Sequence, residues 1–203
     1  MIVKICGITR AEDAMLAARL GATAIGFIFW PSSPRLVTTE QARSIVEALP
    51  PQVTTVGVFV NAGRDEIERA AAASRLGAVQ LHGDESPDFA RSLSPRVIKA
   101  IPLDDHAEER VGAWPDTTIL LDAHDPLKRG GTGRVIDWER AAVIARSHLV
   151  ILAGGLGPAN VADAVARVRP AGIDVSSGVE SAPGIKDPIK LRALFDALAR
   201  VEA

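Results

Sequence analysis

This 203-residue sequence has one cysteine, no long apolar run and no large excess of charge of either sign. Each of these absences excludes a class of protein or partner. The one cysteine, Cys6, cannot form a disulfide within the chain, which fits a reducing compartment. A net charge of -2 leaves no basic surplus for nucleic acid as the main partner. No apolar run is long enough to cross a membrane, and the first residues lack the pattern of a secretory signal peptide. We therefore expect a cytoplasmic protein with neither a nucleic-acid nor a membrane partner.

Aromatic residues are also few, so the core must be built mainly from Ala, Val, Ile and Leu. Tyrosine is absent and aromatics make up 4% of the chain, whereas hydrophobic residues make up 47%. That is enough for a sizeable core in a chain near the short end for an eight-fold β/α barrel. No linker or low-complexity segment interrupts the sequence, so we expect residues 1–203 to form a single domain.

Short runs rich in β-branched residues alternate with helical patterns along the whole chain. Most of these runs are continuously apolar, which is typical of parallel strands buried on both faces. Eight β/α units predict a (β/α)8 TIM barrel, and an open doubly wound sheet is the alternative because periodicity alone cannot separate the two. The predicted strands are residues 2–6, 24–29, 54–60, 78–81, 97–101, 118–121, 149–152 and 172–175.

Capping residues predict where several helices begin and end. Thr9 with Glu12, and Thr38 with Gln41, form capping-box patterns. In a capping box, the side chain of each residue accepts a hydrogen bond from the backbone N–H of the other. Gly21 is placed to end the first helix in the left-handed conformation. A cap residue before a proline at the first helical position is predicted at Ser86-Pro87, Gly157-Pro158 and Asp187-Pro188.

Reactive and glycine-rich residues collect where the predicted strands end, and the opposite rim carries mostly Gly, Ala, Pro and Thr. In β/α barrels the active site lies at the carboxyl ends of the strands. This asymmetry therefore predicts an enzyme. The strand-end residues, in chain order, are Cys6-Gly7, 30–35, Asn61, 82–84, Asp122, 130–133, Gly154-Gly155, Asp174 and 176–178.

Glycines follow both of the last two predicted strands, Gly154-Gly155 after the seventh and Gly178 after Ser176-Ser177 beyond the eighth. Glycine lets an anion approach the backbone closely, and the loops after strands seven and eight are the usual phosphate site of such barrels. A single Gly-Gly pair is more often a plain turn. Two sites on adjacent strands favour phosphate binding, and hence a small phosphorylated substrate.

Cys6 allows two interpretations. Most lone cysteines are small buried hydrophobes. A cysteine at a strand end, facing a rim that binds an anion, can instead act as a base in its thiolate form, if nearby positive charge lowers its pKa. Lys4, two residues earlier on the same strand, points to the same side and could support the thiolate.

Asp122 and Arg35 also carry two interpretations each. A carboxylate after a buried strand is unfavourable unless it is paired, so Asp122 either caps a helix or partners an arginine, or it is a general acid with a raised pKa. Arg35 is either a solvated loop cation or a bidentate clamp for a substrate carboxylate. His82 sits at a strand end and could line the pocket. The four histidines are too scattered to predict a metal site.

Taken together, these motifs resemble the phosphoribosylanthranilate isomerase family of tryptophan biosynthesis over nearly the whole chain. One departure is Ile136, where the family usually has Phe, and this is a packing change. The matching motifs are KICGIT at 4–9, GF at 26–27 with SPR at 33–35, VGVF at 56–59, QLHG at 80–83, LDA at 121–123, GGTG at 130–133, LAGGL at 152–156, DVSSGVE at 174–180 and PGIKD at 183–187.

The resemblance implies an Amadori rearrangement of N-(5-phosphoribosyl)anthranilate. Asp122 would be the general acid at the furanose ring oxygen, Cys6 the base at ribose C2, and Arg35 the residue that holds the anthranilate carboxylate. Both steps are proton transfers, so no cofactor or metal is expected. Family members occur as monomers and dimers, so a monomer or a homodimer is expected. The family's phosphate loops contain Gly154, Gly155, Ser176 and Gly178, and Asp174 falls in its active-site region.

Three alternatives remain at this point. Histidine-pathway phosphoribosyl isomerases share the chemistry, but they usually have an aspartate in place of Cys6 and a longer chain. A metal-dependent sugar-phosphate epimerase would need several strand-end ligands, and only His82, Asp122 and Asp174 are offered. A non-catalytic barrel that binds a phosphorylated ligand or a partner enzyme could lose its acid and base, yet both Cys6 and Asp122 are present.

Overall fold

The computed structural model describes residues 1–123 and 137–201. Within them, eight parallel strands close into a barrel in chain order. This confirms the predicted TIM barrel and shows that the open doubly wound sheet was the wrong alternative. The predicted GGTG motif at 130–133 and Ile136 lie outside the described residues. The barrel strands are β1 Ile2–Ile5, β2 Ala24–Ile28, β3 Thr54–Phe59, β4 Ala78–Leu81, β5 Arg96–Leu103, β6 Thr118–Ala123, β7 Val150–Leu152 and β8 Gly172–Val175.

Helices connect the strands over the outside of the barrel. A short 3-10 helix, Ser177–Val179, follows β8, and a two-stranded antiparallel hairpin, β9 Glu180–Ala182 and β10 Ile185–Lys186, comes next. The α-helices of the described residues are α1 Ala11–Leu20, α2 Thr39–Ala48, α3 Arg64–Ser74, α4 Pro87–Arg91, α5 Ala107–Gly112, α6 Trp138–Ala145, α7 Val161–Val168 and α8 Pro188–Ala199. No helix in this part of the chain combines the length and the hydropathy that a membrane crossing requires.

The barrel closes between its first and last strands. β1 pairs in parallel with β8, in a register that sets Ile2 beside Gly172 and Lys4 beside Asp174. A Cβ on Gly172 would lie 2.5 Å from the Cβ of Ile2, so the close approach at the seam needs a glycine. The closure therefore brings a lysine and an aspartate from opposite ends of the chain into contact.

Strand periodicity separates the packed part of the barrel interior from its open end. Successive side chains on a strand point to opposite faces. Inward residues of the strands, with Ala153 just beyond β7, form a buried inner cluster of Ala24, Val56, Ala78, Ile98, Ala100, Leu120, Ile151 and Ala153. The next inward residues toward the strand ends, such as Ile28, Val58, Gln80 and Asp122, line a cavity instead. The aliphatic inner cluster thus lies beneath the cavity, and the polar residues lie above it, toward the strand ends.

Most of the predicted helix boundaries are confirmed. Thr38 and Gln41 form both bonds of the capping box. Ser86 caps α4 and Asp187 caps α8, each followed by a proline in the first turn. Gly21 ends α1 in the left-handed conformation, with a φ of 115°.

Two predicted caps are wrong, because a different hydrogen bond forms at each position. The Thr9 hydroxyl donates to the carbonyl of Gly184 at 2.6 Å, so α1 starts after Arg10 without a side-chain cap. Pro158 lies in a turn before α7 rather than in its first turn. The amide oxygen of Asn160 accepts from the Gly157 N–H at 2.9 Å and closes that turn, which delays the helix until Val161.

Candidate active site

A cavity of about 520 Å³ opens at the carboxyl ends of the barrel strands, at the rim that the sequence singled out. It is lined by seven of the eight residues predicted for the site, and Gly178 is the exception. His82 also lines the cavity, as expected. The seven are Cys6, Arg35, Asp122, Gly154, Gly155, Asp174 and Ser176.

Cys6 lies one residue beyond β1, where its backbone N–H donates to the carbonyl of Val175 at 2.9 Å. Strand pairing ends there because Gly7 turns the chain with a φ of 70°. The thiol needs the space left by Gly26, since a Cβ there would lie 2.7 Å from Cys6 Sγ and 3.1 Å from Lys4 Nζ. The Cys6 thiol and the Lys4 ammonium therefore both lie close to the backbone of Gly26.

Lys4 is completely buried and donates to Asp174 Oδ1 at 2.9 Å. Burial alone would lower the pKa of Lys4, but attraction to Asp174 and to Cys6 outweighs burial and raises that pKa above its ordinary value. Lys4 is therefore a fixed cation beside the thiol. Asp174, predicted to lie in the site, holds that cation in place.

The pKa of the Cys6 thiol is raised above its ordinary value, mainly because burial disfavours the thiolate. The charge of Lys4 and its hydrogen bond act in the opposite direction, as does the charge of Lys186, while Asp174 adds to the rise. The expected support from Lys4 is thus present, but burial outweighs it. Cys6 is therefore mostly a thiol at neutral pH.

Asp122, on β6, is held by its own strand and by a histidine. Its Oδ1 accepts from the N–H of Ala123 at 2.8 Å, and its Oδ2 lies 3.3 Å from Nε2 of His82. The other ring nitrogen of His82 is 2.9 Å from the amide Nε2 of Gln80. The amide N–H of Gln80 can donate to that ring nitrogen, which leaves Nε2 facing Asp122. The described partners of Asp122 are thus neither a helix terminus nor an arginine.

Arg35 is not a solvated loop cation, because only 12% of its side chain is exposed. Its Nε donates to Glu180 Oε1 at 2.9 Å, and its Nη2 donates to Glu180 Oε2 at 2.7 Å. Gly7 makes room for this side chain, since a Cβ there would lie 2.5 Å from Arg35 Cδ. Glu180 occupies one edge of the guanidinium, so a ligand carboxylate would bind its remaining Nη1 side.

Glu180 and Lys186 form a buried ion pair against the site, which the sequence reasoning missed. The Lys186 ammonium is fully buried, and it donates to the carbonyl of Cys6 at 2.6 Å and to Glu180 Oε1 at 2.8 Å. Both residues stand in motifs that carry the family resemblance, but no local pattern showed that they pair. The available signal was two opposite charges six residues apart in an otherwise glycine-rich and apolar stretch.

Backbone conformation at the glycine loops fits the predicted anion site. Gly154 and Gly155 both adopt left-handed conformations, with φ of 79° and 65°, which side chains other than glycine rarely adopt. Gly178 has a different role, because a Cβ there would lie 2.0 Å from the carbonyl oxygen of Leu156. It joins the loop after β8 to the loop after β7 instead of lining the cavity.

One part of the cavity wall is apolar and lies mainly on the side of β2 and β3. Ile28, Trp30, Val58, Val60 and Pro183 form this wall, which suits a flat hydrophobic group. The cavity therefore offers glycine loops for an anion, an apolar wall, an arginine, a thiol and a carboxyl group. Among the described residues, no group of three His, Cys, Asp or Glu side chains is arranged to hold a metal ion. Of the ligands of the epimerase alternative, His82 and Asp122 meet, but Asp174 binds Lys4 instead of joining them.

Comparison with known proteins gives a consistent result. The sequence profile of the family described as N-(5'phosphoribosyl)anthranilate (PRA) isomerase matches residues 3–197. The N-(5'-phosphoribosyl)anthranilate isomerase of Pelobacter propionicus is 49% identical over 191 residues, which covers 94% of this chain and 91% of that protein.

Two solved structures show the same similarity. The phosphoribosyl anthranilate isomerase of Thermus thermophilus has a TM-score of 0.92 and 44% identity, covering 99% of this chain and 100% of that one. Another phosphoribosyl anthranilate isomerase, solved with reduced 1-(o-carboxyphenylamino)-1-deoxyribulose 5-phosphate, has a TM-score of 0.89 and 38% identity, with 98% and 100% covered.

Proposed function

The chain belongs to the N-(5'-phosphoribosyl)anthranilate isomerase family, and from this premise we propose how its own residues carry the reaction. It is an isomerase of tryptophan biosynthesis. It converts N-(5-phosphoribosyl)anthranilate to 1-(2-carboxyphenylamino)-1-deoxyribulose 5-phosphate by general acid and base catalysis. The observation that carries the residue assignment is the meeting of Cys6, Asp122, Arg35 and the glycine loops around one cavity.

Asp122 is the general acid of the first step. Its protonated carboxyl group gives a proton to the furanose ring oxygen, the bond from C1 to that oxygen breaks, and the anilino nitrogen forms an iminium with C1. The His82 contact at 3.3 Å and the Ala123 N–H hold the carboxyl group in the cavity. Transfer by a positioned acid contributes roughly 100- to 10,000-fold to the rate.

Cys6 is the general base of the second step. Its thiolate takes the proton from ribose C2, and the electron pair of that C–H bond forms a C1–C2 double bond and neutralises the iminium nitrogen. The resulting enolamine tautomerises to the ketone. Because burial raises the pKa of the thiol, the thiolate is a strong base but a minor species near neutral pH. Both steps are proton transfers, so the proposal assigns no cofactor.

The remaining site residues bind the substrate or hold the residues that do. The loops with Gly154, Gly155 and Ser176 take the phosphate, and Arg35 takes the anthranilate carboxylate through its free edge. The aromatic ring packs on the apolar wall that contains Trp30. Gly178 and Asp174 act indirectly, since one joins the two loops and the other holds Lys4.

The test is a fluorescence assay of substrate consumption across pH, together with complementation of a tryptophan auxotroph that lacks this activity. We expect complementation, and a rate that depends on pH through the ionisation of the Cys6 thiol. Growth without tryptophan would also reject a non-catalytic binding barrel. Activity that does not respond to a thiol-alkylating reagent would count against Cys6 as the base.

We propose further that the chain acts in the cytoplasm, where its lone thiol stays reduced. Residues 1–203 would form one domain that works as a monomer or a homodimer, without nucleic-acid or membrane partners. Sedimentation equilibrium separates the two oligomeric states.

A further inference from the structure

Glu180 and Lys186 form a buried ion pair that lies behind the cavity and not in its wall. The two side chains are 5% and 0% exposed, and Lys186 Nζ lies 2.8 Å from Glu180 Oε1. Both belong to the hairpin of β9 and β10, which follows the last barrel strand. Neither residue lines the cavity, so the reaction as described does not use them.

Lys186 ties two parts of the site together through their backbones. Its Nζ donates to the carbonyl of Cys6 at 2.6 Å and to the carbonyl of Ser176 at 3.2 Å. With Glu180 this makes three acceptors around one nitrogen. An ammonium has three N–H donors and a neutral amine has two, so the geometry fits the charged form. The pKa of Lys186 is lowered by burial, and attraction to Glu180 opposes that effect.

Glu180 ties the third part of the site to the same pair. Its two carboxylate oxygens accept from Nε and Nη2 of Arg35, and Oε1 also accepts from the N–H of Gly184 at 3.2 Å. Burial alone would raise the pKa of Glu180, but the bonds from Arg35 and the charge of Lys186 outweigh burial and hold that pKa below its ordinary value. The carboxylate is thus fixed as an anion between two cations.

The energetics of buried ion pairs indicate that this pair positions its neighbours more than it adds stability. Taking two charges out of water offsets much of their attraction, so a buried ion pair adds little net stability by itself. What it supplies is geometry, because each charge needs its hydrogen bonds in fixed directions. Here those directions point at the Cys6 peptide, the Ser176 peptide and the Arg35 guanidinium.

We propose that Glu180 and Lys186 form one positioning unit, in which Lys186 places Cys6 and supports its thiolate while Glu180 places Arg35 for the substrate carboxylate. The proposal rests on the proposed function, in which Cys6 is the base and Arg35 the clamp. Both residues act through others, so they are positioning residues and not catalytic ones.

Other charged groups also face Cys6 and must be kept constant in any test of its ionisation. They are Lys4 on β1, Asp174 on β8 and Arg35 in the loop after β2. Lys186 reaches Cys6 from the hairpin side. Changing Lys186 alone therefore removes one cation and leaves the Lys4–Asp174 pair intact.

The experiment measures the rate at which iodoacetamide alkylates Cys6 as a function of pH. Cys6 is the only cysteine in the sequence, so every labelled molecule reports the same thiol. We expect Lys186→Met to move the alkylation midpoint to higher pH and to slow labelling at neutral pH by roughly tenfold, as expected from loss of one nearby opposite charge. Steady-state kinetics of the same variant should show the loss chiefly in kcat.

Glu180→Gln tests the other half of the unit. It keeps the shape of the side chain but removes the charge that holds the Arg35 fork, so KM is expected to rise by about tenfold while kcat falls less. Lys190→Met is the matched control, because Lys190 is exposed and donates at 2.7 Å to the carbonyl of Glu180 without reaching Cys6 or Arg35. This control should keep the parental alkylation midpoint and KM.

Circular dichroism and thermal unfolding first establish that each variant is folded. If Lys186→Met does not fold, Lys186→Gln removes the same charge and keeps a donor for the Cys6 carbonyl, and the same readout applies. A parental alkylation midpoint in a folded Lys186 variant, or equal losses in kcat and KM in both variants, would overturn the proposal. Normal turnover by Cys6→Ala would overturn the base assignment instead, and the alkylation midpoints would still report on Lys186.

Discussion

The proposed base and the proposed acid of this barrel stand in different kinds of surroundings. Cys6 is enclosed by charge, with the Lys4–Asp174 pair on one side and Lys186 on the other. Asp122 is held by the N–H of Ala123 and by the His82 ring, with the amide of Gln80 behind that ring. The nearby cations favour the thiolate, although burial still raises the pKa of the Cys6 thiol above its ordinary value. The two sides of the cavity thus differ in the kind of group that holds each residue.

The topology explains why charge collects on the base side. Cys6 lies at the seam where β1 meets β8, and residues from both ends of the sequence converge there. The hairpin after β8 adds its buried pair to the same seam. Asp122 lies on β6, whose neighbours β5 and β7 are close to it in sequence. Its histidine partner reaches it from β4.

The largest expected effects come from removing the two proton-transfer groups, beginning with the base. Cys6→Ala should lower kcat by roughly 100- to 10,000-fold, because no other described group replaces the thiolate at ribose C2. Binding of a product analogue should change little, since the cavity and its anion loops stay in place. Stopped assays with calorimetric titration of the analogue check both statements.

Asp122→Asn is expected to lower kcat over a similar range, roughly 100- to 10,000-fold, because an amide cannot supply the proton for ring opening. The shape of the side chain and the bond from Ala123 are kept, so the fold should not change. Alkylation of Cys6 serves as the internal control, and its pH dependence should match that of the parent. A shifted dependence would mean that the acid and base sides are coupled.

Lys4→Met should have an intermediate effect on rate and a large effect on stability. It leaves Asp174, which is 10% exposed in the cavity wall, without its partner, and the free energy of unfolding falls by less than the roughly 3–5 kcal/mol typical of a fully buried pair. It also removes a cation that lowers the pKa of Cys6, so that pKa rises further and the ascending limb of kcat/KM moves to higher pH. Urea unfolding and a pH–rate profile measure the two consequences. An unmoved limb would contradict the role of Lys4.

Gln80→Leu is the smallest perturbation and probes the acid side. Gln80 is buried, and its Oε1 has no hydrogen-bond partner among the described residues. Removing that oxygen relieves a desolvation penalty that offsets the lost bond to His82, so stability should change by only about 1 kcal/mol. Turnover should fall less than tenfold because Asp122 keeps its bond from Ala123. A loss comparable to that of Asp122→Asn would show that the contact of Gln80 with His82 matters for turnover as much as Asp122 itself.

The sequence was sufficient for features that depend on neighbours along the chain. Strand periodicity placed Cys6 and Asp122 at the same rim, and the glycine pairs marked the loops after β7 and β8. The capping box at Thr38 was confirmed for the same reason, since its two partners are three residues apart.

Features set by distant partners could not be predicted. Glu180 bonds Arg35, which is 145 positions away in the sequence. The Thr9 hydroxyl bonds a carbonyl 175 positions away instead of capping α1. The direction of the Cys6 pKa shift was also missed, because it depends on how deeply the barrel buries the thiol. That depth is a property of the closed barrel and not of the segment around Cys6.

The bond between Lys186 and the Cys6 carbonyl joins residues 180 positions apart, and this span has a consequence for the protein while it is being made. A ribosome adds roughly 5–20 residues per second. The thiol of Cys6 therefore leaves the ribosome about 10–40 s before the lysine that secures it. During that interval the first strand has no β8 to pair with, and Cys6 lacks the burial that the closed barrel gives it. The surroundings of Cys6 are therefore complete only after the hairpin that carries Lys186 has been made.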